Sequence, residues 1–139
     1  MSANTAEKSA ANENEMITYL GYISNQKKSQ YIANCACFLF PSRAEGFGMP
    51  IIEVMEYYRP VIASNLEIFK EIIGDAITYY PRSEDLDTET TALANAMLSF
   101  DRLDDASKQV DKKAYEDVVK RYLPEVLGKR MINSLLELQ

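Results

Sequence analysis

Histidine is absent from the 139 residues of this chain. That removes the commonest general base and excludes a Ser-His-Asp or Cys-His mechanism within the chain. Cysteine is nearly absent, with Cys35 and Cys37 the only two. They form a C-x-C pair at the start of an apolar run, where strand alternation puts both side chains on one face. Two thiolates without further Cys or His make a poor zinc site. Buried free thiols in a reducing, cytoplasmic compartment are expected, and neither a metal nor a cofactor. Long apolar runs are lacking too. None approaches the roughly 20 residues that span a bilayer, and the N-terminus has no apolar segment of a signal peptide. Basic charge is also scarce. Fifteen Lys and Arg stand against 21 Asp and Glu, a net charge of −6. No basic patch appears, which argues against a nucleic-acid partner.

What is present is an ordinary globular composition, 47% hydrophobic and 26% charged. The length suits one domain. Residues 1–15 are polar and are expected to form a disordered tail or frayed helix, with the domain proper running over 16–139. Met16 to Tyr22 is β-branched and aromatic, and is expected to be a buried strand. Ser24 offers an N-cap for a helix through Asn34. Cys35 to Phe40 is a second expected strand, stopped by Pro41. A helix begins at Pro50 and is closed by Arg59 and Pro60, followed by a short strand from Val61 to Ala63. Leu66, Phe69, Ile72 and Ile73 mark a short amphipathic helix ended by Gly74, and Ala76 to Tyr80 a fourth strand. From about residue 84 the chain is expected to be helical, with one face marked by Leu93, Ala96, Met97 and Phe100. A charged helix carrying Val110, Ala114, Val118 and Tyr122 follows, then a last helix with Val126, Leu127, Met131, Leu135 and Leu138. Strands alternating with helices imply a parallel α/β sheet.

The chain is organised around Pro41 to Tyr58, PSRAEGFGMPIIEVMEYY. It leads from a strand through two glycines into a helix, a geometry in which backbone N–H groups attract anions. Pro50 suits the first helical turn. Ile51, Val54, Met55 and Tyr58 fall at i, i+3, i+4 and i+7 and should pack on the sheet, which turns Glu53 and Glu56 away from the core. Gly46 and Gly48 let the backbone approach a ligand, and Phe47 between them can shield one side of a pocket. N–H groups and the helix dipole favour an oxyanion, while Glu45 suits neutral hydroxyls. Together these features prefer a ligand that is both polyhydroxylated and phosphorylated, such as a sugar nucleotide. A Gly-Phe-Gly turn also occurs as chain geometry alone, and a Glu in a first helical turn often serves only the dipole. The stretch approximates G-x-G-x-x-G with Glu67 downstream. Its third glycine is Ile51, however, and five residues separate Phe40 from Gly46, so nicotinamide binding is not expected.

The string from Pro41 to Glu53 resembles the E-x7-E signature of retaining, nucleotide-sugar-dependent glycosyltransferases of the GT-B fold (glycosyl transferases group 1 type). Tyr19 to Ile23 resembles that family's strand and turn two elements upstream, and Arg59 to Ser64 its strand downstream. The resemblance implies a truncated Rossmann-like three-layer sandwich with a parallel sheet of about four strands and a helical C-terminal tail. It implies that Glu45 contacts donor-sugar hydroxyls as a positioner rather than a nucleophile. The amides of Gly46, Phe47, Gly48 and Met49 would line the sugar and diphosphate, and Glu53 would bind the ribose. Family members usually carry a small residue or Gly where this chain has Tyr57 and Tyr58 ahead of Arg59.

A complete member has two Rossmann-like domains facing a cleft. The present length has room for neither the first domain nor the first two strands of the second, which in the family bring an Arg and a Lys to the departing diphosphate. The expectation is therefore the donor-binding part of a glycosyltransferase of surface-polysaccharide or glycolipid synthesis, inactive in isolation. Its parent enzyme would be cytoplasmic, with possible peripheral membrane association. The Ile17 to Leu20 strand would lie at an edge, so either the sheet closes up or the missing domain or another chain fills the gap. The alternative is a non-catalytic or split-enzyme subunit acting as a protein interaction module.

Overall fold

Val61–Ser64, strand β2, is the centre of the molecule, with its four residues 2%, 1%, 0% and 0% exposed. A strand covered on both faces is what a continuous apolar run gives in a parallel sheet. In the computed structural model, β2 lies between β1 (Phe38–Phe40) and β3 (Thr78–Tyr80), both parallel to it. Phe38 pairs with Val61 and Phe40 with Ala63, while Ile62 pairs with Thr78 and Ser64 with Tyr80. The structure describes residues 16–123 and 125–129. The chain divides into two compact units, residues 1–31 and 32–139, and the sheet belongs to the second.

The crossovers are short helices, α2 (Met49–Met55) from β1 to β2 and α3 (Glu67–Ile73) from β2 to β3; α1 (Asn25–Asn34) precedes them. Ser24 caps α1 through its hydroxyl, which accepts from the Lys27 amide at 3.3 Å. After β3 come α4 (Leu86–Asp101) and α5 (Lys112–Arg121). Each starts at an aspartate. The Asp85 carboxylate accepts from the Thr88 amide at 2.9 Å and that of Asp111 from the Ala114 amide at 3.0 Å, satisfying donors the first turn leaves open.

Strand alternation divides the sheet into two faces. Phe38, Phe40, Val61 and Ala63 join Ile51, Val54, Met55, Phe69, Ile72, Tyr115 and Val118 in one apolar cluster, the layer formed by α2, α3 and α5. Phe40 meets Phe69 at 5.7 Å between ring centroids. Tyr115 is 1% exposed and donates its hydroxyl hydrogen to the Arg59 carbonyl at 3.2 Å, so α5 is tied to the start of β2. On the opposite face Cys37, Leu39 and Ile62 line a groove of about 420 Å³ together with Met97, Leu98 and Phe100 of α4. Helices on both sides of a parallel sheet make the expected Rossmann-like three-layer arrangement.

Several expectations are corrected. The sheet has three strands among the described residues, because Met16 to Tyr22 forms none. Its β-branched and aromatic content is present, but a strand also needs a ladder partner. Met16, Ile17, Tyr19, Leu20 and Tyr22 are all exposed, and Gly21 bends the chain with φ 60°. The helix at Pro50 ends at Met55 rather than near Tyr58. Tyr58 therefore leaves the packed face and is 40% exposed, while Ile52 joins that face at 4%. Residues 125–129 are helical, in line with the expected last helix. The tail expected at 1–15 and the apolar positions Met131, Leu135 and Leu138 lie outside the described residues. Among the described residues no helix is long and apolar enough to cross a membrane.

Tyr58 has φ 52°, a left-handed conformation costing about 1 kcal/mol for a residue with a Cβ. The ring is held from α5, its hydroxyl 3.1 Å from Glu116 Oε1 and its face 5.6 Å from Lys112 Nζ. Tyr58→Ala keeps the strain and removes the contacts, whereas Tyr58→Gly relieves the strain. Chemical denaturation should find the Gly variant more stable than the Ala variant by about 1 kcal/mol.

Burial pushes the Cys37 thiol up to about 11 and the Tyr79 phenol to about 12, and raises Tyr115 as well. All three are neutral when folded and ionise more readily when unfolded, so stability is full below the ordinary thiol value near 9 and falls as pH climbs through 11. Urea midpoints measured from pH 8 to 11.5 should decline steadily above pH 9, and less steeply in Cys37→Ala.

Candidate functional site

The loop from Pro41 to Gly48 leaves the C-terminal end of β1, where ligands of parallel α/β sheets bind. It is fixed at two places. The Ser64 hydroxyl, fully buried at the end of β2, donates to the Ser42 carbonyl at 2.6 Å. An Arg82 guanidinium Nη1, just beyond β3, donates to the Arg43 carbonyl. Within the loop the Ser42 hydroxyl donates to Glu45 Oε1 at 2.8 Å and also lies 3.2 Å from the Ala44 carbonyl. The Glu45 carboxylate is thus exposed to solvent yet held by a side chain whose own backbone is anchored to the sheet.

The two glycines have different reasons to be glycine. Gly48 sits at φ 92°, and a Cβ added there would lie 2.7 Å from Phe69 Cε1 and 3.1 Å from Cδ1. Phe69 is 0% exposed and cannot retreat into solvent. Gly48 is required by the fold. Gly46 is exposed, has no positive φ, and a Cβ added to it would meet nothing within 4 Å. Packing makes no demand for glycine at this position.

Phe47 is half-buried and packs edge-on against Tyr122 at 5.0 Å between centroids and 88° between planes. It is thereby a contact to the segment after α5, where the sequence suggested a pocket wall. Met49 is 49% exposed at the first position of α2, and Glu53 is half-buried on the same helix. Because α2 has seven residues, its dipole is small, and the donors of the turn are individual amides. Among the described residues no hydrogen bond engages the Gly46, Phe47 or Gly48 amide nitrogens. Glu45, Gly46 and Glu53 therefore belong to one short segment in which a carboxylate, open amides and a second carboxylate follow in order. Cys35 and Cys37 are free and half-buried, as thiols. Among the described residues no three Cys, Asp or Glu side chains converge as a metal site.

Sequence reasoning gave no role to Ser42, Ser64, Arg82 or Glu89. Ser42 and Arg43 stand inside the recognised string. Ser64 closes the downstream strand 11 residues past it, Arg82 and Glu89 lie some 30 residues or more beyond it, and a lone polar residue in a strand or a Glu in a polar helical stretch carries no periodic signal.

Sheet, crossovers and loop define the class as a Rossmann-like α/β domain with a glycine turn at the sheet's C-terminal edge. The sequence model of the family described as Glycosyl transferases group 1 matches residues 4–117, and the chain belongs to that family. It is similar to the O-antigen chain mannosyltransferase B of Escherichia coli, 42% identical over 60 residues, or 43% of this chain and 16% of that protein. It is also similar to the O-antigen chain mannosyltransferase RfbU of Salmonella typhimurium, 31% identical over 65 residues, or 47% of this chain and 18% of that protein. An uncharacterized glycosyltransferase, MJ1178, of Methanocaldococcus jannaschii is 37% identical over 59 residues, or 42% of this chain and 17% of that protein. The matches thus span less than a fifth of the length of these relatives.

Gly48→Ala should destabilise the chain by about 2–4 kcal/mol, combining left-handed strain with overpacking against Phe69. Gly46→Ala should leave stability within about 1 kcal/mol of the parent. Thermal or urea unfolding of the two variants checks both, and equal losses would contradict the division between the glycines.

Proposed function

We propose that this chain supplies the donor-binding part of a glycosyltransferase that moves a sugar from a nucleotide-sugar to a glycan or lipid acceptor with retention of configuration. The observation that carries the reading is Gly46, a bare, exposed glycine that the fold does not need, placed between an anchored carboxylate and open amides. A glycine without a packing reason suits close approach of a ligand to the backbone.

In this reading the amides of Gly46, Phe47, Gly48 and Met49 take the sugar and diphosphate. Glu45 accepts from sugar hydroxyls and Glu53 from the ribose. Glu45 positions the donor and forms no covalent bond to it. The names of two of the relatives above make mannose the first sugar to try and polysaccharide synthesis the setting. A cytoplasmic parent enzyme with peripheral membrane association is part of the same proposal and rests on no observation of this chain. The diphosphate must still be neutralised as it leaves. The cation within the loop, Arg43, is turned to Glu89 at 3.6 Å and to the Ser83 carbonyl at 3.4 Å. The isolated chain is accordingly expected to bind donor without turning it over, the missing cations and the acceptor site coming from a domain that completes the cleft.

A second reading, a non-catalytic or split-enzyme subunit, is favoured by the groove of about 420 Å³ between Leu39, Ile62, Met97 and Leu98, beside β1, an edge strand among the described residues. A partner chain that extends the sheet would cover it.

Calorimetric titration of the 139-residue chain with UDP-, GDP- and ADP-sugars separates the two. Millimolar or tighter binding of one of them is expected, weakened about tenfold or more by Glu53→Ala and by Gly46→Ala, with no sugar transfer. Silence with every nucleotide-sugar from the folded chain would overturn the donor-binding reading.

A further inference from the structure

Glu89 lies in the first turn of α4, yet it is 7% exposed while Asp87 beside it is solvated. A buried carboxylate is costly unless cations face it. Two do. Arg82 Nε is 3.4 Å from Glu89 Oε1, and Arg43 Nη2 is 3.6 Å from Glu89 Oε2. Neither approach is a hydrogen bond, since Arg82 Nε and Glu89 Oε2 both lack a hydrogen-bond partner. What the carboxylate does is hold two guanidinium groups side by side that would otherwise repel.

The hydrogen bonds are spent elsewhere. Arg82 Nη1 donates to the Arg43 carbonyl, two residues before Glu45, and Arg43 Nη2 donates to the Ser83 carbonyl at 3.4 Å. The loop after β1 and the loop after β3 are thus stapled across a shared anion, with Pro41, Tyr80, Leu86 and Leu93 forming an apolar surround to a small cavity of about 130 Å³. The staple acts on one end of the site. Ser42 and Glu45 lie on its loop, whereas Glu53 lies on α2, whose placement depends on the apolar cluster.

We propose that Glu89 is a positioning residue for the sugar end of the donor site: through Arg82 and Arg43 it fixes the 42–45 backbone and so the direction in which Glu45 meets the donor sugar. This rests on the donor-binding reading above. Loss of the Glu89 charge frees the two guanidiniums, loosens the loop and removes the part of the affinity due to the sugar, leaving the nucleotide part in place.

The probes are GDP and GDP-mannose, titrated into the full 139-residue chain and its Glu89→Gln and Glu89→Ala variants, with amide hydrogen exchange recorded on each. Glu89→Gln keeps size and an acceptor, and serves if the Ala variant does not fold. The expected result is about fivefold or faster exchange at residues 42–46 with β2 and α5 unchanged. GDP affinity should stay within about twofold, while the preference for GDP-mannose over GDP falls towards unity. Glu89→Asp, which restores the charge, should recover part of that preference. A variant that keeps the full preference, or one that weakens both ligands equally with faster exchange throughout, overturns the positioning role. If the parent chain binds both ligands without any preference for the sugar, the positioning role falls; silence with these and with every other nucleotide-sugar takes the donor-binding reading with it.

Discussion

The constraint on which the molecule depends is the close approach of the Gly48 backbone to the Phe69 ring, such that a Cβ would stand 2.7 Å from Cε1. The ring belongs to α3, meets Phe40 of β1, and is fully buried. One aromatic side chain thus fixes the strand before the loop, the turn that ends the loop and the helix of the next crossover. Because Gly48 takes φ 92°, the chain enters α2 in a direction that buries Ile51, Ile52, Val54 and Met55 together. Packing at this level is close to crystalline, so a single methyl is felt across all three elements.

With the turn fixed, the loop ahead of it is held by polar groups from the C-terminal ends of the other strands. Ser64 ends β2, and Arg82 follows β3. Parallel strands bring their C-terminal ends to one edge, which is why residues far apart in sequence can grip the same loop. The same carboxylate chemistry then serves two purposes. Glu45 is exposed, held by one hydroxyl, and keeps acceptor capacity for a ligand. Glu89 is buried between guanidiniums and has its charge matched within the protein.

The parts of this arrangement legible from sequence are those with a local period or a local breaker. The apolar spacing of Leu66, Phe69, Ile72 and Ile73 with Gly74 behind it describes α3 to within a residue. The run at Val61 gives the central strand, and the E-x7-E string gives the family, which the match over 4–117 bears out. Met16 to Tyr22 misled because β propensity describes a half-buried surface and says nothing about whether a partner strand is there to pair with. Tyr58 misled because the helical period runs three residues past the end of α2, to the residue at which the backbone itself turns left-handed, a turn held by Glu116 and Lys112 some 55 residues on. Glu89 was invisible because its burial depends on Arg43 and Arg82, which only the fold brings near it.

The Gly-Phe-Gly segment is where these levels separate most clearly. Taken as letters, the two glycines are equivalent permissions for a ligand. In the structure, Gly48 and Phe47 are consumed by packing, one against Phe69 and the other edge-on to Tyr122. Chain geometry therefore accounts for two of the three residues. It does not account for Gly46, whose missing side chain leaves open space next to an anchored carboxylate. A residue that folding would allow to be alanine, with the lower unfolded-state entropy that alanine brings, is kept bare at some thermodynamic disadvantage. Gly46 is the part of the turn for which the protein's own interior supplies no reason, and a ligand that approaches the backbone does.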